Sequence, residues 1–317
     1  MDNNNSPKLS TENQITKYLI VFNPLPNKKR QTIIDLVKHR LIQKNMAFDL
    51  YPTDALLRVN QCYFETNIHQ YTDVIVIGGD GTLHCVVNSL PIGTDINVGL
   101  IPAGTGNDFA RMWYGRKNKN IPYILDVVTA NTVQTISLGK CVFNEKYEHN
   151  QYQHQRLFHN VMGTGFDSQL SKALRHNKGT FKGLSYLLAA VKNVPFYRER
   201  ASSFVIDGIH QKYENLITAF ANGQYFGGGL KVAPKANPLS NQLDIVQVGK
   251  HPLLVKLKLI SLLCVGKHLT AQQVTYTTTD KVSVIDSVGL DLQADGEYIG
   301  QSPCEISVID NALRMKR

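Results

Sequence analysis

The chain has 317 residues, 43% of them hydrophobic, which is longer than one core usually grows, so two domains are expected. No apolar run is long enough to span a bilayer and the first fourteen residues are polar, which argues against a membrane helix and a signal peptide and makes a cytoplasmic protein the expectation. Cys62, Cys85, Cys141, Cys264 and Cys304 form no CxxC pair, which argues against zinc and a disulfide framework, while the formal charge of +9 favours nucleotides, nucleic acid or an anionic membrane.

Residues 1–14 read as a disordered tail. Residues 18–22 form an apolar strand that runs into Asn23-Pro24 and a loop rich in cations, Lys28, Lys29 and Arg30, for which a solvated basic loop is an equal reading. Apolar residues at helical spacing mark a helix over 33–44, and residues 48–51 a second strand ending at Pro52-Thr53. Short strands alternate with helices to about residue 125, the pattern of a doubly wound parallel sheet. Neither GxxxxGK[ST] nor GxGxxG occurs, which excludes a P-loop and a dinucleotide Rossmann site.

The chain is organised around residues 73–88. Val74, Ile75, Val76 and Ile77 read as a strand buried on both faces. Gly78, Gly79 and Gly81 follow, with Asp80 between them and Thr82 as the expected N-cap of a helix. Strand, glycine turn and helix start make an anion-binding geometry, but a carboxylate inside it repels phosphate. A divalent cation, Mg2+ for preference, would offset that repulsion; the alternative is a plain Asp-Gly turn. A second strand over 97–101 leads into Pro102-Ala103-Gly104-Thr105-Gly106-Asn107-Asp108 and another helix, where Asp108 either joins a metal network or caps. Two such loops after neighbouring strands belong at the carboxyl edge of one sheet, where open α/β sheets bind ligands.

Beyond residue 133 short strands are broken by polar turns, at 132–143, 157–162, 202–206, 216–222, 243–248 and 282–285, which predicts a β-sandwich interrupted by two helices, 180–194 and 252–263. His149, His154 and His159 lie five apart, spacing that fits a solvated hairpin better than a metal site. Residues 252–269 mix leucines with Lys256, Lys258 and Lys267, so that helix either packs on the sheet or lies on an anionic surface. Asp295-Gly296 is a hairpin turn within 291–300, and residues 313–317 return to the first domain. Basic residues are not interleaved with aromatics, so nucleic acid is the weakest partner.

GGDGT at 78–82 followed by PAGTGNDFAR at 102–111 resembles the diacylglycerol kinase catalytic-domain family, the bacterial soluble lipid kinases in particular. The likeness runs from about Lys17 to the C-terminus. It implies an N-terminal three-layer α/β domain of the NAD kinase and phosphofructokinase type over 15–133 and 302–317, and a lipid-binding β-sandwich over 134–301. ATP would contact Asn23, Pro24, Thr53, Gly78, Gly79, Asp80, Gly81, Thr82, Gly104, Thr105, Asn107 and Asp108. Asp80 would organise the active-site Mg2+, with Glu297 as general base positioned by Asp295. Relatives hold a structural Mg2+ through an Asp-Gly pair where this chain has Ser240-Asn241, so a site built from Asn237, Ser240 and Gln242 is expected to be weak. The resemblance further implies a lipid substrate met at the inner face of the membrane, peripheral contact with anionic lipid, and a homodimer. A kinase of a sphingoid base, another lipid or NAD, and an inactive nucleotide- or lipid-binding relative, are the alternatives.

Overall fold

A computed structural model describes residues 17–143, 154–174, 183–285 and 289–317. The expected tail at 1–14 and His149 lie outside the described residues. Strands β1 (Lys17–Phe22), β2 (Ala47–Pro52), β3 (Asp73–Gly78) and β4 (Asn97–Pro102) pair in parallel in the order β2-β1-β3-β4. Helices α1 (Lys28–Gln43), α2 (Leu57–Asn67), α3 (Asp80–Val87), α4 (Asp108–Tyr114) and α5 (Ile121–Val128) connect and flank them. Every residue of β3 is buried, as an apolar run covered on both faces requires. Phe22 lies opposite Pro52 and Ile77, and Gly78 opposite Pro102, so the loops that begin at Asn23, Thr53, Gly79 and Ala103 leave the sheet along one edge.

The second half is a β-sandwich domain. It contains β5 (Val133–Phe143), β6 (Gln155–Phe158), β7 (Val161–Gly165), β8 (Arg200–Ile206), β9 (Ile209–Ala221), β10 (Leu243–Gly249), β11 (Val274–Thr279), β12 (Lys281–Val284), β13 (Asp291–Ala294), β14 (Glu297–Gln301) and β15 (Cys304–Lys316). Three helices interrupt it: α6 (Phe166–Leu174), α7 (Gly183–Asn193) and α8 (Leu253–Cys264). α6 was not expected. Gly165, at φ +107°, ends β7 without a turn signal, and the helix is too short to show a clear period.

β15 joins the two halves. Its last residues run parallel to β4 and its first residues pair antiparallel with β12, while β5 pairs antiparallel with it from Val133–Lys316 to Phe143–Cys304. The far end is pinned in the first core. Lys316 is buried with its Nζ 2.5 Å from Asp73 Oδ1 and 2.6 Å from the Ala130 carbonyl, and its own carbonyl accepts from Trp113 Nε1 at 2.8 Å. Replacing Lys316 with Met leaves Asp73 buried without its cation and should cost about 3 kcal/mol in urea unfolding, with Asp73→Asn in the same chain recovering part of the loss.

One expected strand is two. Residues 157–162 read as continuous, but β6 and β7 break at His159-Asn160, because the backbone N–H groups of His159, Asn160 and Val161 turn towards the Asp295 carboxylate instead of a neighbouring strand.

Candidate functional site

The two glycine loops touch. A Cβ on Gly104 would lie 2.4 Å from Gly79 Cα and one on Gly79 would lie 2.9 Å from Gly104 Cα, so side chains at either position would drive the loops apart. Ala103 N–H donates to the Gly78 carbonyl at 2.9 Å. In the second loop Asn107 sits at φ +52° and brackets Gly104, accepting from its N–H at 3.0 Å and donating to its carbonyl at 2.9 Å.

Helix α3 starts one turn earlier than expected. Gly79, not Thr82, is its N-cap residue, with the Gly79 carbonyl accepting from Thr82 and Leu83, so Asp80 is the first helical residue. From there the Asp80 carboxylate reaches the next helix: Oδ2 accepts from Asp108 N–H and Oδ1 from Phe109 N–H, both at 3.0 Å. Asn160 Nδ2 donates to Oδ1 as well, at 3.2 Å. Asp80 therefore caps α4, the role weighed for Asp108, and ties both loops to the second domain.

Asp108 is left with a different balance. Its Oδ2 accepts from Gly228 N–H at 2.8 Å, while Oδ1 is buried with no hydrogen-bond partner among the described residues. Burial, reinforced by the Asp80 charge, pushes its carboxyl up to about 7. A Cβ on Gly106 would lie 3.1 Å from Asp80 Oδ2 and 3.6 Å from Asp108 Oδ2, so both carboxylates face the bare glycine.

Glu297 and Asp295 arrive on the β13–β14 turn, where Asp295 at φ +51° and Gly296 at φ +84° form a tight hairpin. Glu297 Oε1 lies 4.0 Å from the Cβ position of Gly81, which brings the second domain's carboxylate onto the start of α3. Asp295 points into the interior. It is fully buried and accepts from the N–H groups of His159, Asn160 and Val161 at 3.1, 2.9 and 3.2 Å, and lies 2.9 Å from His84 Nδ1 and 2.8 Å from His159 Nδ1. Burial alone would raise its carboxyl, but the two imidazoles hold it far below the usual range. For His159 burial alone would lower the imidazole, yet Asp295, with Asp80 and Asp108 behind it, holds it above its ordinary value. Asp295 thus positions Glu297 through the backbone of the turn.

His84 and His159 are the residues that sequence reasoning missed. His84 lies four residues after Asp80 on the buried face of α3, and His159 is buried, not solvated; His154, by contrast, is exposed. Ligand atoms of His84, His159 and Asp295 fall within 4.8 Å of one another, a separation a metal would accept, but the Asp295 oxygens already accept four hydrogen bonds and pair with His159 Nδ1.

The remaining expected contacts spread along the same edge. Asn23 Oδ1 accepts from Leu25 N–H at 2.9 Å, Thr53 is buried with its N–H on the Phe22 carbonyl, and Thr105 is exposed. Asn237, Ser240 and Gln242 do not fit a cation. Asn237 Oδ1 accepts from Leu239 N–H at 3.1 Å, the Asn237 carbonyl accepts from both the N–H and the hydroxyl of Ser240, and none of the three supplies a carboxylate. The Ser240 proton satisfies the carbonyl that a metal would need.

In the second domain a cleft of about 100 Å3 is walled by apolar side chains of α7, α8, β9 and β10, among them Leu187, Leu216, Val248 and Leu259. Lys256 lines it and forms a buried ion pair with Glu199, so it is not part of a basic membrane face; Lys258 is exposed.

Residues 17–141 match the diacylglycerol kinase catalytic domain and residues 160–317 the YegS C-terminal NAD kinase beta sandwich-like domain. A diacylglycerol kinase of Mycobacterium tuberculosis is 32% identical over 247 residues, covering 77% of this chain and 76% of the relative. This chain belongs to the diacylglycerol kinase catalytic-domain family. Within the family, a diacylglycerol kinase of Bacillus subtilis is 28% identical over 295 residues, 90% of this chain and 91% of its own length. A diacylglycerol kinase crystal structure from Bacillus anthracis superposes with a TM-score of 0.71 at 20% identity, covering 95% of this chain and 96% of that one, so the fold is shared throughout.

The Asp108 carboxyl gives the site a pH signature. Unfolded, it loses its proton near the usual carboxylate value of about 3.9; folded, it keeps it to about 7. Between those values the folded state binds the extra proton, so this group makes stability fall as pH rises. Asp108→Asn keeps an acceptor for Gly228 N–H and removes the charge. Thermal melts without nucleotide should show the variant more stable than the native chain at pH 8, with the gap closing by pH 4.

Proposed function

We propose that this protein is an ATP-dependent, Mg2+-requiring lipid kinase that phosphorylates the hydroxyl of a diacylglycerol-like lipid to the phosphatidate-type product, working from the cytoplasm at the inner face of the membrane. The observation that carries this reading is the meeting of Glu297 with the start of α3, where the Asp80 and Asp108 loops touch, in a chain whose second domain also holds an apolar cleft.

Phosphoryl transfer needs positioning and charge neutralisation more than covalent chemistry. The first turn of α3 presents N–H groups where a polyphosphate would lie, those of α4 being taken by Asp80. The Oδ1 of Asp108, raised in proton affinity by burial and then by its neighbour Asp80, fits a cation: Asp108 would hold Mg2+, and Asp80 would do so directly or through water. When bound, that ion would offset the negative charge shared by the carboxylates and the phosphates. Glu297 takes the proton of the attacking hydroxyl, and the Asp295 clamp keeps its turn in place. Asn23, Pro24, Thr53 and Thr105 lie along the sheet edge where the rest of the nucleotide would extend.

Membrane contact has its own candidates. Phe196 and Leu254, 83% and 81% exposed, stand on the segments that roof the cleft, with Lys258 one turn from Leu254 on α8. Phe196→Ser together with Leu254→Ser should weaken sedimentation with anionic vesicles by at least about tenfold, since each side chain carries roughly 1.5 to 3 kcal/mol of burial. Unchanged sedimentation would remove this face from the proposal.

A radiolabelled-ATP assay over a panel of lipid alcohols, with NAD as control, tests the reaction. Glu297→Gln should lower transfer by about 100 to 10,000-fold while leaving the melting temperature unchanged. Near-normal turnover in that variant, or labelling of NAD in preference to every lipid, would defeat the reading. Asp80→Asn is a less clean probe, because it also weakens the cap of α4 by about 1 kcal/mol.

A further inference from the structure

We propose that a metal-free chain of hydrogen bonds, running from Asn241 through Ser137 and Asn222 to Asn160, positions Asp80 and takes the place of the structural Mg2+ that the family resemblance implies. Mg2+ is then taken up only together with nucleotide. The nucleotide half of this statement rests on the kinase reading above.

The loop at 237–242 reads Asn-Pro-Leu-Ser-Asn-Gln and carries no acidic side chain. Two bonds fasten it to β5: Ser137 N–H donates to the Pro238 carbonyl at 2.8 Å, and the Ser137 hydroxyl donates to Asn241 Oδ1 at 3.0 Å. Ser137 is buried and Asn241 exposed. The Ser240 hydroxyl is committed to the Asn237 carbonyl at 2.7 Å, so two more oxygens of the loop are joined to each other. The first carboxylate after the loop, Asp244, accepts from the Tyr276 hydroxyl, and Lys235 Nζ stands 4.8 Å from the centroid of the Tyr276 ring. Burial pushes the Asp244 carboxyl up to about 6 and Lys235 pulls it back, so a tethered ammonium already supplies positive charge here.

From Ser137 the bonds continue inward. Asn222 is fully buried and its Nδ2 donates to the carbonyls of Ser137 and His159, both at 3.0 Å. The N–H groups of Asn222 and Gly223 both donate to the Asn160 carbonyl at 2.8 Å. A Cβ on Gly223 would lie 2.8 Å from Asn160 Oδ1 and 3.2 Å from Asn160 Cα, so Asn160 is seated directly on backbone. Asn160 Nδ2 then reaches Asp80 Oδ1 at 3.2 Å.

The path meets carboxylates only at its inner end, at Asp80 and, through the His159 and Asn160 N–H groups, at Asp295. Asn160 Oδ1 and Asn222 Oδ1 are buried without a hydrogen-bond partner among the described residues, but they are neutral amide oxygens, and Mg2+ is held through one or two carboxylates. Ser137, Asn222 and Asn241 are therefore positioning residues that act on Asp80 through Asn160.

The metal half is tested without activity. The chain stripped with EDTA should melt at the same temperature with and without added Mg2+, whereas a structural ion would raise the midpoint by several degrees. For the positioning half, binding of Mg2+ with a non-hydrolysable ATP analogue is titrated by calorimetry on the native chain, Asn241→Ala, Asn160→Ala and the double variant. Each single change should raise Kd by roughly two- to tenfold, the worth of one hydrogen bond, and the double variant should lose clearly less than the product of the two. A midpoint raised by Mg2+ alone overturns the proposal. So does unchanged affinity in Asn241→Ala, or losses that multiply, because a local role for Asn241 leaves the contribution of Asn160 intact. Should Asn160→Ala fail to fold, Asn160→Ser carries the same outcomes. A native chain that binds no Mg2+ with the analogue defeats the kinase reading and this proposal together. Binding that follows the expected pattern, with no lipid labelled in the panel, defeats the lipid reading and leaves the positioning path supported.

Discussion

Everything at the seam of the molecule depends on one buried carboxylate. Asp295 has no access to water, and an ionised carboxyl in that position is tolerable only if donors surround it. Four hydrogen bonds and the ion pair from His159 meet that demand. The donors come from two separate stretches of chain, so satisfying one charge on the turn before Glu297 brings that turn together with the helix after the first glycine loop and the break between β6 and β7. The turn that carries Glu297 is anchored from beneath by this requirement.

Asp80 and Asp108 divide a similar burden unevenly. Asp80 accepts three hydrogen bonds, two of them from the buried first turn of α4, so it is tied to the structure. Asp108 accepts one and keeps an oxygen idle beside a like charge. Under the proposed function that reserve would be met by a cation arriving with a polyphosphate, and without one it costs stability.

The parts legible in the sequence are those written locally. The β-branched run before Gly78, the glycines of both loops and the Asp295-Gly296 turn each carry their conformation within a few residues, and the parallel sheet and its binding edge follow from them. What depends on distant partners was not legible. The interruption at His159-Asn160 is made by a carboxylate 135 residues away, and the apolar residues around it read as one strand. Lys256 has the spacing of a basic surface residue, yet Glu199 draws it inward. The start of α3 at Asp80 escaped because Gly79 caps with its carbonyl, leaving no side chain to mark the position, whereas Thr82 looks like a cap and is not one.

The pairing of β5 with β15 has a mechanical meaning. Domains joined by a loose linker can swing on it at almost no energetic cost, but here both passages between the halves are hydrogen-bonded to each other over most of their length. Opening the gap between Glu297 and the glycine loops must therefore flex a double-stranded spring, with the restoring force shared by its ladder. Motion of one half against the other has to bend both strands together, because the ladder that joins them leaves neither free to move alone.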